Sequence, residues 1–208
     1  MPSMAFYVGF ADLMVTAAMG DWDAADSIEI MIGLEDSHPT RGIRNTIERY
    51  TGPRLVVTEG RLSPLPASAQ PKRWDFGDPF GDHAMLEVPF SEIILISRHV
   101  KTTISQLAVA DVLDPATPTP KADDKMGRSR QRFVVDVVIT RAGARRRAIV
   151  RGRDIYAVSA PLVCEAVQRL LEGKFRAAGA QAPGEIFDAE ELLAALAPEH
   201  ATFEVIAA

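Results

Sequence analysis

Apolar residues near the N-terminus recur every three or four positions, which is the spacing of one face of an α-helix. The set is Phe6, Phe10, Leu13, Met14 and Ala17. We therefore predict a helix that ends near Gly20. The pattern then changes to alternation at Ile28, Ile30 and Ile32, which predicts a strand. A second helix is predicted over 41–50, with Asp36 or Ser37 as its N-terminal cap.

The middle of the chain has the pattern of a β-sheet. The stretch LVVTEGRL predicts a tight hairpin that turns at Glu59-Gly60. Strand patterns follow over 83–90, 91–100 and 102–112, and they predict antiparallel neighbours. Prolines and polar residues dominate between these segments, so we predict mobile loops near 63–72 and 112–128.

The C-terminal third predicts a long hairpin, two helices and a closing strand. Residues 131–151 form the hairpin, with Gly143 in its turn and apolar residues on both faces of the first strand. Ser159 is expected to cap the first helix and Asp188 the second, and TFEVI is the closing strand. The helix after Ser159 is expected to carry an apolar stripe made of Ala160, Val163, Cys164, Val167 and Leu170.

Composition restricts the class of protein. The chain has 208 residues, of which 25% are charged and 47% hydrophobic, and we expect one domain over 1–208. Its single cysteine, Cys164, cannot form an intramolecular disulfide, which favours a reducing compartment. There is no apolar run long enough to span a bilayer and no signal-peptide pattern at the N-terminus. We therefore expect a cytoplasmic protein with no membrane partner.

The common motifs of nucleotide, metal and hydrolase sites are missing. No two glycines are separated by a single residue, so the dinucleotide motif G-x-G-x-x-G cannot occur, and neither Walker A nor G-x-S-x-G is present. The four histidines lack metal-ligand spacing, so no metal site is expected. The aspartates over 73–83 could form a cation loop, but a turn in which they bond their own backbone is favoured.

Positive charge is concentrated in the predicted hairpin. Nine arginines and one acid, Asp136, lie between Arg128 and Arg153, a local net charge of +8 in a chain of net charge −5. Nucleic acid, an anionic substrate or an acidic partner could use such a surface. A solvated hairpin edge is the favoured interpretation, because no aromatic residues interleave with the arginines to stack on bases.

Two segments in the C-terminal third carry a family resemblance. The first runs from Asp154 through Tyr156 to Ser159-Ala160, and the second contains Gly179, Pro183 and Phe187. They resemble the D-x-Y-x-x-T-A-like turn and the G-x-x-x-P-x-x-x-F stretch of saccharopine dehydrogenase-like oxidoreductases, a group that includes saccharopine reductases and trans-acting enoyl reductases. Upstream, GFADLMV, SHPTRGIRNT and VPFSEIILISRHV resemble further segments of that family.

The resemblance covers nearly the whole chain but only the second half of the family's architecture. It implies an α+β fold with a largely antiparallel mixed sheet, helices packed on one face and no complete Rossmann domain. It also implies the C-terminal substrate-binding half of an NAD(P)-dependent oxidoreductase, inactive without its nucleotide-binding half. NAD(P) is then expected for the full-length architecture and no cofactor in this chain. The alternative is a stand-alone, non-enzymatic binding or dimerisation domain that uses the arginine-rich hairpin for an anionic partner.

The resemblance also implies which residues line the substrate side. Substrate-binding candidates are Tyr7, His38, Arg41 and Arg98, and His99 is the catalytic candidate. Either arginine could clamp a carboxylate or phosphate, and the imidazole could exchange a proton as hydride arrives. The alternative for Arg98 and His99 is a surface position at a strand end. Asp154 and Tyr156 are expected to have structural roles, with Asp154 accepting backbone hydrogen bonds.

Apolar stripes on the first helix and on the helix after Ser159 suggest a missing partner. In the family these helices would be buried against the nucleotide-binding domain. We therefore expect a small-molecule substrate together with either a homodimer or a nucleotide-binding partner domain.

Overall fold

A computed structural model of the chain describes residues 4–36, 39–66, 72–109 and 121–207. A single π-helical turn (Phe6–Phe10) continues directly into the first α-helix. The helices are α1 (Ala11–Met19), α2 (Arg41–Arg49), α3 (Glu92–His99), α4 (Ser159–Leu171), α5 (Pro183–Ile186) and α6 (Ala189–Ala195). The strands are β1 (Ser27–Glu35), β2 (Leu55–Thr58), β3 (Arg61–Pro64), β4 (Lys72–Asp75), β5 (Asp82–Glu87), β6 (Thr103–Val109), β7 (Arg132–Arg141), β8 (Ala144–Arg153) and β9 (Ala201–Ala207).

The described strands form one mixed sheet. Its order is β3-β2-β6-β1-β7-β8-β9, and β5 pairs with the end of β6 that β2 leaves free. Only β1 and β6 are parallel, with Ile28 opposite Ile104. The remaining described pairs are antiparallel, and the β7–β8 pair has this direction because a short turn joins its strands. This confirms the predicted α+β class with a largely antiparallel mixed sheet.

The main core lies between the sheet and the helices on one face. The π-helical turn and α1 lie across β7 and β8, and Phe10, Leu13 and Met14 have no exposed surface. The sheet contributes its alternating positions, such as Ile30 of β1 and Val137 of β7. Each such side chain stabilises the fold by about 1.5–3 kcal/mol through burial. The predicted first helix and first strand are confirmed, and α1 is internal rather than available to a partner.

The other face is partly covered by the β4–β5 hairpin. Phe76, Phe80 and Met85 pack on Met31, Val134 and Ile149 in a second, smaller core. The turn of this hairpin is the predicted one, in which an aspartate bonds nearby backbone. An Asp75 carboxylate oxygen accepts a hydrogen bond from the Gly77 amide at 2.9 Å. Val134 of β7 faces this second core and Val137 faces the main one, so the prediction that β7 is apolar on both faces is confirmed.

The strand predicted over 91–100 is wrong, because this segment contains the helix α3. The β-branched residues favour a strand locally, but Ile93, Ile96 and Val100 are spaced to bury one helical face against α1 and β6. Basic residues in the last turn also complement the helix dipole. Arg98 and His99 consequently lie at a helix C-terminus and not at a strand end.

Two predicted helix caps are wrong. Helix α2 begins at Arg41, and the Thr40 hydroxyl accepts a hydrogen bond from the Ile43 amide at 3.4 Å, so the capping residue is neither Asp36 nor Ser37. Ser159 lies inside the first turn of α4, and its hydroxyl donates to the Ile155 carbonyl at 2.8 Å. The predicted cap at Asp188 is confirmed by a 3.0 Å bond from the Glu191 amide.

The apolar stripe predicted for α4 lies mostly on its exposed face, where the sequence led us to expect uncovered apolar surface. Helix α4 turns Leu162 and Ala166 to the core, while Val163 and Val167 are 39% and 47% exposed and Cys164 is exposed. The reason is the chain entry, since Ile155 and Val158 are both buried before the helix begins and set its rotation. The apolar stripe read from the sequence therefore lies mostly on the outer face.

Several predictions about connections can be compared with the structure. The hairpin turns at Glu59-Gly60 and at Ala142-Gly143 are confirmed, each with two consecutive positive φ angles. The predicted loop over 63–72 includes the end of β3 and the first residue of β4, and 67–71 lie outside the described residues. Of the loop over 112–128, residues 121–128 form turns and 112–120 lie outside the description. None of the described helices has the length and apolar composition needed to cross a bilayer.

Gly152 tests the packing of the main core. A Cβ atom at this position would lie 2.4 Å from Cζ of the fully buried Phe133, so Gly152→Ala overpacks the core. We expect the free energy of unfolding to fall by about 1–3 kcal/mol, measured by urea denaturation. Gly42→Ala is the matched control, because its Cβ meets nothing closer than 3.8 Å within α2 and should leave stability equal or higher. Equal denaturation midpoints for the two variants would contradict the packing described here.

Candidate functional site

The predicted site residues fall into two groups at opposite ends of α3. Tyr7 packs on Phe90, just before the helix, with ring centroids 5.1 Å apart. Arg98 and His99 form its last turn. The helix has 8 residues, so its ends are about 10 Å apart. His38 lies outside the described residues. The structure therefore brings no more than two of the predicted side chains to one end.

The first group, which we call the tyrosine end, lies where β1 leads towards α2. The Tyr156 hydroxyl accepts a hydrogen bond from the Thr40 amide at 3.3 Å, which places Tyr156 beside the start of α2. Arg41 is the next residue, is exposed, and has no ion pair among the described residues. The phenol of Tyr7 has a raised pKa, because burial disfavours the phenolate and Tyr156 adds to the effect. Tyr7 therefore stays protonated and can donate a hydrogen bond.

Asp154 holds Tyr156 in position. Its carboxylate accepts hydrogen bonds from the amides of Ser129, Tyr156 and Ala157 at 2.6, 2.9 and 3.0 Å, and its own φ is +61°. Burial opposes ionisation of this carboxyl, but the backbone hydrogen bonds, led by the one from Ser129, outweigh it and lower the pKa. The predicted structural role of Asp154 is confirmed.

The second group, which we call the His99 end, is built on a buried carboxylate. His99 Nε2 lies 2.7 Å from Oδ1 of Asp12, whose other oxygen accepts a 2.7 Å bond from the Gly184 amide. Asp12 is completely buried, and the His99 side chain is 17% exposed. A carboxylate that orients an imidazole in this way suits proton exchange, and it equally ties α1 to α3 and α5.

Arg98 also joins α3 to the segment before α5. Its guanidinium donates to the Ala180 carbonyl at 2.7 Å and to Oε2 of Glu185 at 3.4 Å. The same Glu185 oxygen accepts from the Ala182 amide at 2.7 Å. Of the two arginines predicted as anion clamps, Arg98 is therefore already paired within the chain, and Arg41 is the one that remains available.

Sequence reasoning missed Glu92 and Asp12. Glu92 is fully buried at the start of α3, accepts a 2.9 Å hydrogen bond from the Phe90 amide, and has no described partner for Oε2. Burial raises its pKa to about 8. Asp12 was hidden inside the apolar pattern of the first helix. An acid surrounded by apolar helical residues was the available signal in both cases, but the wrong strand over 91–100 concealed it for Glu92.

The arginine-rich hairpin is neutralised within the chain. The sequence predicted a solvated hairpin edge here, and this is wrong for β8. The strand lies inside the sheet and pairs with β7 and with β9. Seven of the nine arginines form ion pairs with described carboxylates, and Arg130 and Arg145 are the two without such a partner. Arg147, for example, donates two bonds to the buried Asp136 at 2.8 and 2.5 Å. Most of this positive charge is therefore neutralised by carboxylates of the chain and does not form a free basic surface.

The described residues contain neither a metal cluster nor a dinucleotide cradle. No group of three His, Cys, Asp or Glu side chains is close enough to hold a metal ion in this part of the chain. The described turns that lead from strands into helices contain no glycine-rich segment, which the pyrophosphate of a dinucleotide requires. The chemistry available is hydrogen-bond donation and charge pairing at the tyrosine end and an oriented imidazole at the His99 end.

Glu92 should make the stability of the protein depend on pH. Its folded-state pKa of about 8 lies above the ordinary value of 4.5, so between these values the folded state holds a proton that the unfolded state has lost. Stability therefore falls as pH rises through this window, by at most about 1.4 kcal/mol per pH unit. We expect Glu92→Gln to equal the parent near pH 5 and to exceed its stability near pH 8, measured by urea denaturation. The exposed Glu199→Gln is the control, and a difference that does not grow with pH would contradict the prediction.

Comparison with known proteins gives no family. No protein-family model matches this chain, and no curated protein matches its sequence. What can be said of its function therefore rests on the residues and contacts described above.

Proposed function

We propose that this chain is the substrate-binding half of an NAD(P)-dependent oxidoreductase of the saccharopine dehydrogenase-like type, and that it needs a nucleotide-binding half for activity. The proposal starts from the resemblance of the segments that contain Tyr156 and Pro183. The observation that carries it is the tyrosine end, where a protonated Tyr7, the hydroxyl of Tyr156 and an Arg41 with no ion pair to any described residue occur together.

The residues of the tyrosine end suit an oxygen-rich, anionic substrate. Arg41 would pair with a carboxylate or phosphate, because its guanidinium presents a fork of donors and has no competing carboxylate among the described residues. Tyr7 would donate a hydrogen bond to a second oxygen of the substrate. Phe90, packed on Tyr7 and 39% exposed, offers an apolar wall beside these donors.

His99 has a different place in this proposal. A substrate bound to Arg41 would have to extend along α3, about 10 Å, to exchange a proton with the imidazole. We therefore propose His99 and Arg98 as positioning residues that hold α3 against α1 and α5, and proton exchange at His99 as the alternative. The kinetic test below separates the two roles.

The dinucleotide does not fit this chain alone. No described turn offers the backbone amides that cradle a pyrophosphate, so NAD(P) would bind to the other half and supply the hydride there. The chain's own contribution is to bind and orient the substrate.

A partner is also supported by the outer face of α4. Val167 and Leu171 are 47% and 84% exposed, and Val163 and Phe175 extend the same apolar face. Apolar stripes of this kind on a helix are typical of surfaces that a partner covers. We propose the nucleotide-binding half or a second copy as that partner.

The alternative, a stand-alone domain that binds an anionic partner through the arginine-rich hairpin, is less well supported. Such binding would have to displace carboxylates that already hold seven of the arginines. Exchange of one carboxylate partner for another gains little free energy, because each of these guanidiniums is paired in both states and exposed pairs contribute little.

The purified chain should not bind NADPH or NADH. We expect fluorescence titration to show no saturable uptake by the 208-residue chain, because the phosphate cradle is missing. If a strand–G-x-G-x-x-G domain is encoded beside the chain, the same titration on the two joined in one polypeptide should saturate at one equivalent. Tight, stoichiometric dinucleotide binding by the chain alone would overturn the proposal.

In the joined polypeptide, Tyr7→Phe should raise the KM of the substrate by about tenfold and leave the KM of NADPH unchanged, because one hydrogen bond to the substrate is lost. Tyr50→Phe is the matched control, since Tyr50 is exposed and its hydroxyl donates to the Pro53 carbonyl. An unchanged substrate KM for Tyr7→Phe would contradict the assignment.

The same assay distinguishes the roles of His99. If the imidazole positions α3, His99→Gln lowers the melting temperature and leaves the shape of the pH–rate profile unchanged. If it exchanges a proton, kcat falls by about 10²–10⁴ and one limb of the pH profile disappears. We expect the first result.

A further inference from the structure

An open groove lies on the sheet face opposite the helices. The β4–β5 hairpin covers Met31, Val134 and Ile149 but ends before the β7–β8 turn. Beyond its edge the groove is lined by Trp74 of β4, by Ile206 of β9, which is 43% exposed, and by Val138, which is 4% exposed. This space, which we call the Trp74 groove, has a volume of about 460 Å³, which is within the range of small-molecule sites.

The floor of the groove is apolar and its indole is held in place. Trp74 Nε1 donates a 2.9 Å hydrogen bond to Asp136, a fully buried carboxylate of β7. The ring also lies 5.4 Å from the Lys72 ammonium and 5.9 Å from the Arg147 guanidinium. Ile206 is 43% exposed although it lies next to this ring system, so apolar surface remains uncovered.

One cation of the groove is available to a ligand. Arg147 is bonded to Asp136, Arg73 to Asp82 and Arg146 to Asp21. Arg145 also lines the groove, is exposed, and has no carboxylate partner among the described residues. The one acid in the lining, Asp75, already accepts a hydrogen bond from the Gly77 amide. The groove thus combines an apolar floor with one free guanidinium at its rim.

We propose that the Trp74 groove binds a small organic acid, whose apolar body covers Trp74 and Ile206 and whose anionic group pairs with Arg145. A monoanion is favoured because the other guanidiniums of the lining are each neutralised by a carboxylate of the chain. Binding to the apolar floor removes water from around the Arg145 pair, which strengthens it. This site is independent of the tyrosine end, because Tyr7 packs in the core on the other face of the sheet.

The test uses the full chain and four probes in isothermal titration calorimetry. Octanoate and naphthoate offer a chain-like and an aromatic body with the same anionic group, octanol lacks the charge, and inorganic phosphate lacks the body. We expect at least one of the two acids to bind saturably at one equivalent, and the comparison between them identifies the body that fits. Octanol and phosphate should bind at least about tenfold more weakly.

Two arginine variants locate the anionic contact. Arg145→Gln should weaken binding of the acid by about tenfold or more, because a charge-assisted pair is lost. Arg130→Gln is the matched control, since Arg130 is also exposed and without a described carboxylate partner but does not line the groove. It should leave the affinity unchanged. Equal loss in both variants, or no loss in Arg145→Gln, would overturn the proposal.

A fluorescence measurement locates the apolar contact. The chain has 2 tryptophans, so Trp22→Phe leaves Trp74 as the only indole. Trp22 packs on the helix-covered face and lies 4.2 Å from the Arg146 guanidinium, and phenylalanine keeps an aromatic ring for that contact. We expect the Trp74 emission to change in parallel with the calorimetric saturation. An emission that stays constant while the acid binds, or the absence of saturable binding by either acid, would overturn the proposal independently of the function proposed above.

Discussion

Burial of the first helix is the constraint on which the rest of the structure depends. Leu13 and Met14 of α1 and Phe10 just before it have no exposed surface, so α1 must be covered by the sheet on one side and by helices on the others. The same burial encloses the carboxylate of Asp12. Removing one partner from a buried charge destabilises a fold by about 3–5 kcal/mol, because the charge is left uncompensated. The partners of Asp12 are His99 and the Gly184 amide, which belong to α3 and α5. The need to cover α1 and the need to satisfy Asp12 therefore order the helical layer together.

Buried acids are stabilised differently on the two faces of the sheet, as a neutral carboxyl on one and as a paired carboxylate on the other. On the helix-covered face, Glu92 has one oxygen without a described partner, and its raised pKa means that it is held as the neutral acid around neutral pH. On the other face, Asp136 receives two bonds from Arg147 and one from Trp74, so it is compensated by a full charge. This contrast explains why arginines are concentrated on β8. The strand lies inside the sheet, and its long side chains satisfy the carboxylates beside it while their aliphatic stems cover apolar surface.

Local rules predicted those elements whose own residues decide their geometry. The turns at Glu59-Gly60 and Ala142-Gly143 were predicted because glycine readily adopts a positive φ, and the hairpin register follows from such turns. The alternation at Ile28, Ile30 and Ile32 identified β1, since only one face of it meets the helices. The segment 91–100 was misread because runs of isoleucine satisfy both a strand and a helix, and the choice depends on which neighbours the side chains meet.

The amino-acid sequence by itself determined the hairpins, the absence of a dinucleotide motif and the role of Asp154, because these follow from turn chemistry, periodicity and spacing within short segments, while the α+β class came from the resemblance. Only the tertiary structure decided that Tyr7 and His99 lie at opposite ends of α3, that Arg98 is paired while Arg41 and Arg145 are available, and that Asp12 and Glu92 are buried. These properties depend on contacts between residues far apart in the chain. Burial and charge pairing arise only when the sheet and the helical layer pack together, so no local pattern records them.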